Sequence, residues 1–327
     1  MCRHLAYLGP PAPLRSVLID PPHGLYRQSW APRMQRYGTV NADGFGIGWY
    51  ADGDPVPARY RRGVPIWGDP SLPDLARVIS SGAVLAAVRS ATPGTAPGGS
   101  AAAPFASGPW LFSHNGVLAG WPGSAAALAG PGEASASPAP PGQPAPPGAS
   151  GPPAPPGASG PPAPPGASGP PAPPGADECD SQPPIAGSMP HSSVAEALLS
   201  LEAMVDSAFL WLLVRKRLRA GTAADLALAA TIGSVEAAGG SGRFNFLLTD
   251  GRSITATTAG DTLWYRRAVG AVTVASEPCD DDPGWTEVPD RQVLTAAPAG
   301  VTIRPLASLT AVTESPAEGL TEGIAIR

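Results

Sequence analysis

The order of apolar and polar positions before residue 120 predicts mainly β-strands. The segment VNADGFGIGWYADGDPVPARYRR, residues 40–62, predicts two strands joined by a turn rich in Gly, Asp and Pro. DPSLPDLARVISSG, residues 69–82, predicts a short helix that ends at Gly82. AVLAAVRSAT and PWLFSHNGVLAGW are apolar runs that pass into polar loops, which is typical of strands.

The pattern changes to helical beyond residue 190. Ser193 is followed three residues later by Glu196, a capping-box pattern that predicts a helix through SVAEALLSLEAMVDSAFLWLLVRKRLRAG, with Gly221 as its C-terminal stop. A second helix is predicted over TAADLALAATIGSVEAAG, and short strands over RFNFLLTDG, SITATTAG, DTLWYRR and AVTVASEP. The order of strands, a helix pair and further strands predicts an α+β sandwich, in which helices pack outside two sheets.

A low-complexity segment separates the two halves. From Gly130 to about Pro190 the chain is nearly free of charge and of large apolar residues, and the unit PAPPGASGP begins at 144, 153 and 162 with a partial copy at 171. Such a segment buries too little apolar surface to offset its ordering entropy. We therefore predict one domain over residues 2–327, interrupted by a disordered insertion at 131–190. Its PxxP spacings carry no basic residue, so we favour a passive linker over a docking arm for a protein partner.

Composition excludes several classes of partner. A net charge of -5 and a pI of about 5.4 indicate neither nucleic acid nor an anionic membrane surface. The N-terminus lacks the pattern of a secretory signal and no apolar run approaches the roughly 20 residues of a membrane span, so we expect a cytoplasmic protein. Its 3 cysteines, Cys2, Cys179 and Cys279, are widely spaced without CxxC, and we expect no disulfide framework, no metal and no cofactor.

The start of the chain, MCRHLAYLG, places a cysteine directly behind Met1. Cys2 is small enough for an aminopeptidase to remove Met1, which would leave one residue with both a thiol and a free α-amine. That amine has an ordinary pKa of about 7.7 to 8.0, so it can accept the thiol proton near neutral pH. A strand cysteine that only packs is the alternative.

Further polar candidates stand where apolar runs end. Arg89 follows the run AAV, with Thr92 three residues later, and its planar guanidinium suits a carboxylate ligand or a structural carboxylate equally well. Asn115 and Gly116 predict either a hairpin turn or an oxyanion hole formed by a side-chain amide and a backbone N–H. We interpret the neighbouring His114 as a packed, hydrogen-bonded residue.

Asp206 lies in the strongly apolar run MVDSAFLWLL. A buried carboxylate without a partner is costly, so we expect it to meet a cation or several donors. It also fits the N-cap of a helix that begins at Ser207, and both interpretations can hold together.

Taken in order, the motifs MC, NADGFGIGWY, VRSAT, FSHNG and VDSA resemble the class II glutamine amidotransferases of the N-terminal nucleophile hydrolase superfamily. The resemblance covers nearly everything except the proline-rich segment. It implies a four-layer αββα sandwich, and it implies that Cys2 is the nucleophile, with its own α-amine as the base. It also implies that Asn115 and Gly116 form the oxyanion hole.

The same resemblance implies a binding site for a γ-glutamyl group. Arg89, assisted by Thr92, would bind the α-carboxylate of that group, and Asp206 would bind its α-ammonium. MCRHLAYLG, QSWAP and ASEPCDDDPGW resemble a branch of the family that cleaves a γ-glutamyl amide and releases glutamate. The small-molecule hydrolase is the preferred hypothesis. A glutaminase that supplies ammonia to a partner synthase and a proline-rich interaction module are the alternatives.

Overall fold

The computed structural model describes residues 2–91, 95, 98–124 and 200–314. The predicted insertion at 131–190, the helix start at Ser193, Thr92 and Cys179 lie outside these residues. The single-domain organisation and the removal of Met1 therefore stay predictions.

The described chain forms thirteen strands. They are β1 (Arg3–Pro13), β2 (Phe45–Trp49), β3 (Ala58–Arg62), β4 (Ser80–Val88), β5 (Phe105–Ser107), β6 (Trp110–Leu118), β7 (Gly242–Thr249), β8 (Ile254–Thr257), β9 (Trp264–Ala268), β10 (Ala271–Ala275), β11 (Thr286–Glu287), β12 (Gln292–Ala297) and β13 (Gly300–Pro305).

The strands form two sheets in which every pair is antiparallel. The first sheet has the order β11-β9-β10-β1-β4-β2-β3 and the second the order β13-β12-β8-β7-β6-β5. Six α-helices accompany them: α1 (Leu14–Leu18), α2 (Leu25–Gln28), α3 (Leu72–Val78), α4 (Asp206–Arg219), α5 (Ala224–Ala237) and α6 (Leu306–Glu314). No helix of this described part is long and apolar enough to cross a membrane.

Apolar side chains are buried at three interfaces, which separate four layers: helices, the first sheet, the second sheet and further helices. Between the sheets lie alternate residues of the central strands, among them Ala6, Leu8, Leu85, Leu247 and Val274. The outer face of the first sheet packs on α1, α2 and α3. The outer face of the second packs on α4, α5 and α6, where Phe112 and Trp211 stack with ring centroids 5.1 Å apart. The predicted αββα sandwich is confirmed.

The Asn-Gly pair does not form a turn. Asn115 and Gly116 lie within β6, where they pair with Asn245 and Phe244 of β7 in a ladder that runs from Leu111 to Leu118. The hairpin-turn interpretation is wrong, because continuous pairing with a strand distant in sequence outweighs a local turn preference.

One predicted helix end is also wrong, and one predicted helix is not continuous, because residues 201–205 are not helical. Helix α3 ends at Val78, and Gly82 lies inside β4, where a Cβ would be 2.8 Å from the carbonyl oxygen of Gly9 beside an irregularity in β1. Helix α4 begins only at Asp206, since Val205 has an extended backbone. Gly221, with φ of 83°, is confirmed as the residue that stops α4.

Candidate active site

Cys2 and Arg89 meet because two neighbouring strands begin and end at the same edge of the first sheet. Cys2 directly precedes β1 and Arg89 directly follows β4, and Arg3 is paired with Val88 in the antiparallel ladder. The Cys2 Sγ lies 4.0 Å from the carbonyl oxygen of Ser90. Strand pairing thus places a thiol and a guanidinium at one opening.

A cleft of about 470 Å³, open solvent included, lies at this opening. It is lined by residues from both sheets and from the start of α4, including Cys2, Arg89, Ser113, His114, Gly116 and Asp206. Four of the six predicted site residues therefore line the cleft. Asn115 lies between two lining residues, His114 and Gly116, and Thr92 lies outside the described residues.

Burial raises the pKa of the half-buried Cys2 thiol above its ordinary value, and the Arg89 guanidinium acts in the opposite direction. Burial dominates because a thiolate loses more hydration than a thiol when water is excluded. A thiol with a raised pKa needs a base close to it before it can act as a nucleophile at neutral pH.

Arg89 is 7% exposed and is held on two sides. Its Nη1 donates to the carbonyl oxygen of Asp43 at 3.2 Å and its Nη2 donates to Thr95 Oγ1 at 3.0 Å. These two acceptors are neutral oxygens, which fix the plane of the guanidinium without cancelling its charge. The group is therefore oriented as a cation at the wall of the cleft.

Gly116 lies at the surface of the cleft, whereas Asn115 is fully buried beside it. Asn115 Nδ2 donates to Ser276 Oγ at 3.4 Å, so its amide points between the sheets. A Cβ at position 116 would overlap the carbonyl oxygen of Arg243 and lie 2.6 Å from His114 Nε2. Only glycine fits there without a shift of the backbone.

Asp206 is the first residue of α4, and Val205 is the N-cap, so the prediction of Asp206 as the N-cap is wrong by one position. Its Oδ2 accepts from the N–H of Leu118 at 2.9 Å and its Oδ1 from the N–H of Ser207 at 2.8 Å. The expectation of several donors is confirmed. A carboxylate can accept about four hydrogen bonds, so it retains capacity for a cation in the cleft, and the helix N-terminus stabilises its charge.

His114 is hydrogen-bonded on both ring nitrogens, as predicted. Nδ1 lies 3.1 Å from Ser207 Oγ, and Nε2 donates to the carbonyl oxygen of Arg243 at 2.9 Å. Burial lowers the pKa of this imidazole, which favours its neutral form. His114 thus connects α4 to β7 across the strand that carries Asn115.

A buried polar group behind Asn115 was missed from the sequence. His4 Nδ1 lies 3.1 Å from Ser113 Oγ, and the His4 N–H donates to Ser276 Oγ at 3.0 Å. Burial lowers the pKa of His4 to about 3. His4 is two positions after Cys2, and alternate residues of a strand share a face. This spacing could have identified His4 as a residue that lies on the same face as Cys2.

Among the described residues, no group of three or more His, Cys, Asp or Glu side chains is arranged to hold a metal ion. The described polar groups of the cleft are instead one thiol, one guanidinium, one carboxylate and hydrogen-bond donors of backbone and side chains.

The chain resembles known proteins in both its sequence and its fold. No protein-family model matches the chain. The chain is 35% identical over 306 residues to the γ-glutamyl-hercynylcysteine sulfoxide hydrolase of Mycolicibacterium smegmatis, covering 94% of this chain and 100% of that protein. It is 35% identical over 308 residues to the protein of the same name from Mycobacterium tuberculosis strain CDC 1551, covering 94% and 97% of the two chains.

Two solved structures share the fold. A glutamine aminotransferase class-II domain protein from Silicibacter pomeroyi gives a TM-score of 0.53 at 20% identity over 93% of this chain and 99% of that one. The glutamine phosphoribosylpyrophosphate amidotransferase of B. subtilis gives a TM-score of 0.50 at 16% identity, covering 93% of this chain and 49% of that one. Because the chain is 35% identical to these hydrolases over 94% of its length and has the amidotransferase fold, it belongs to the family of γ-glutamyl-hercynylcysteine sulfoxide hydrolases.

Proposed function

We propose that this protein hydrolyses the γ-glutamyl amide bond of γ-glutamyl-hercynylcysteine sulfoxide, releasing glutamate and hercynylcysteine sulfoxide in ergothioneine biosynthesis. The names of its relatives support the substrate. The observation that carries the reaction type is that Cys2, Arg89 and Asp206 line one cleft. A nucleophile, a cation and an anion in one cleft match the three functional parts of a γ-glutamyl group.

The glutamyl head group has two charges at a distance from the bond that breaks. Arg89, fixed by Asp43 and Thr95, would bind the α-carboxylate through its guanidinium. Asp206 would bind the α-ammonium with the lone pairs that Leu118 and Ser207 do not use. Thr92 would assist Arg89 in binding the α-carboxylate.

The proposed reaction begins on a mature chain that starts at Cys2. The α-amine accepts the thiol proton, and the thiolate attacks the γ-carbonyl carbon. Asn115, through its second side-chain N–H, and Gly116, through its backbone N–H, stabilise the oxyanion. The α-ammonium of Cys2 then protonates the departing amine, and water hydrolyses the γ-glutamyl thioester.

This proposal is tested by measuring glutamate release with protein whose intact mass shows that it starts at Cys2. Cys2→Ala should abolish turnover and leave the far-ultraviolet circular dichroism unchanged. Cys279→Ala is the matched control, because Cys279 is buried in the outer core and its pKa is raised to about 12 by burial. Full activity of protein that retains Met1 would contradict the self-base mechanism.

A comparison of kcat/KM for free glutamine and for the sulfoxide substrate separates hydrolase from glutaminase. We expect glutamine to be the poorer substrate, because ammonia offers the leaving-group side of the cleft nothing to bind. Equal turnover of the two compounds would favour an ammonia-supplying glutaminase instead.

A further inference from the structure

Strand β6, which lines the cleft through Ser113, His114 and Gly116, has β7 on one side in the second sheet and β5 on the other. Ala119 donates its N–H to Ser241 on the β7 side, so the N–H of Leu118 points the other way, where it meets Asp206. Arg89 follows β4, and β4 contacts β6 across the sandwich. The residues proposed to bind the glutamyl head group therefore lie away from β7, and the β7 side of β6 is left for the leaving group.

Arg243 is the cation on the β7 side. Asn115 is paired with Asn245, and Val117 with Arg243, so Arg243 is diagonal to Asn115 in the ladder. Residues 243, 245 and 247 share one face of β7, and Leu247 of that face is buried between the sheets. Diagonal neighbours on one face stand about 7–8 Å apart, which long side chains reach.

In the part of the chain that the structure describes, the guanidinium of Arg243 is held in place through only one of its nitrogen atoms. Its Nε donates to Asp261 Oδ2 at 3.1 Å, and its Cζ lies 4.4 Å from the ring centroid of Tyr37. The Asp261 side chain is 1% exposed, whereas that of Arg243 is 23% exposed. Within the described chain, the two Nη atoms have no hydrogen-bond partner, so the fork that suits a carboxylate remains available.

Tyr37 is placed over this guanidinium by its own segment. Although Tyr37 is 55% exposed, its carbonyl oxygen accepts from Gln35 Nε2 at 3.0 Å, and Gln35 Oε1 accepts from Asn41 Nδ2 at 3.0 Å. The buried Glu277 carboxylate accepts the N–H groups of Arg33 and Met34 at 2.9 and 2.8 Å. The segment that carries Tyr37 is thus held on both sides of it, and its exposed ring stacks on the Arg243 guanidinium.

We propose that Arg243, stacked on Tyr37 and braced by Asp261, binds the α-carboxylate of the amino acid that leaves, and so selects γ-glutamyl amino acids over glutamine and γ-glutamyl amines. This inference rests on the proposed function. In such a substrate the carboxylate lies on the carbon next to the amide nitrogen, close to the oxyanion donors. Arginine binds a carboxylate through two parallel charge-assisted hydrogen bonds.

Two substrates that differ only by that carboxylate test the inference: γ-glutamylalanine and γ-glutamylethylamide. The wild-type protein should show a kcat/KM at least about 10-fold higher for γ-glutamylalanine, because a site built for a charged group discriminates against its absence. In the Arg243→Gln variant, the fold-loss in kcat/KM should be at least about ten times larger for γ-glutamylalanine than for γ-glutamylethylamide, so that the preference disappears.

Arg243→Lys, which retains a charge beside Asp261, should fold and show a smaller loss confined to γ-glutamylalanine; it decides the matter if Arg243→Gln does not fold. Arg267→Gln, at an exposed arginine of β9, is the matched control and should keep the preference. Equal losses on both substrates, or a wild type without preference, would overturn the inference while glutamate release still supported the hydrolase. A wild type confirmed to start at Cys2 that cleaves no γ-glutamyl compound would overturn both.

Discussion

At the scale of single residues, Asn115 is fully buried, yet we propose that one of its N–H groups binds the oxyanion. Oxyanion donors act mainly in the transition state, so Asn115→Ala should lower kcat by about 10²–10³ with little change in KM. Arg89→Gln should instead raise KM strongly, because a substrate charge loses its partner. Steady-state kinetics decide between the two patterns. An Asn115→Ala enzyme with wild-type kcat would leave Asn115 with a role in strand pairing alone.

His4 should make the stability of the fold depend on pH. The unfolded chain protonates this residue near its ordinary pKa of 6.5, but burial lowers the folded pKa to about 3. His4 therefore costs no stability above pH 6.5. As the pH falls through the window from 6.5 to about 3, the unfolding free energy declines by up to about 1.4 kcal/mol per pH unit for this residue.

Urea denaturation between pH 5 and 7.5 checks the His4 prediction. His4→Gln, which can still bond Ser113, should show a shallower decline than the wild type. The decline should not vanish, because burial also lowers the pKa of His114. Identical slopes for the two proteins would show that His4 does not contribute.

At the scale of elements, the β6–β7 ladder is the support of the cleft. Gly116→Ala would place a methyl group against the carbonyl oxygen of Arg243 and near His114. We expect it to lower the unfolding free energy by about 1–3 kcal/mol, as overpacking commonly does, and to reduce activity because the strand must shift. Gly300→Ala in β13, where a Cβ would meet nothing within 4 Å, is the control and should stay within about 0.5 kcal/mol. Equal effects would mean that the ladder yields easily at Gly116.

At the scale of the whole molecule, residues 131–190 are predicted to be dispensable. Within the described residues, the contacts of the site are made by the chain before residue 119 and after residue 204, as when Asp206 accepts from Leu118. Replacement of 131–190 by a short Gly/Ser loop should keep kcat/KM within about threefold and keep cooperative unfolding. A scrambled segment of the same length and composition is the control. A large loss with the short loop alone would assign the segment a role in the fold or at the site.

The sequence by itself determined the order of most elements between β2 and β10, the position of Arg89 after a strand, and the cysteine directly behind Met1. These follow from local periodicity and from motifs that a few neighbouring residues define. The tertiary structure alone decided that Asn115 and Gly116 lie inside β6 rather than in a turn, that Gly82 belongs to β4, and that α4 starts at Asp206. It also decided that the Arg243 guanidinium stacks on the Tyr37 ring. The physical reason is that strand register and burial depend on pairing between residues more than 100 positions apart, such as Asn115 with Asn245, and local preferences yield to that pairing.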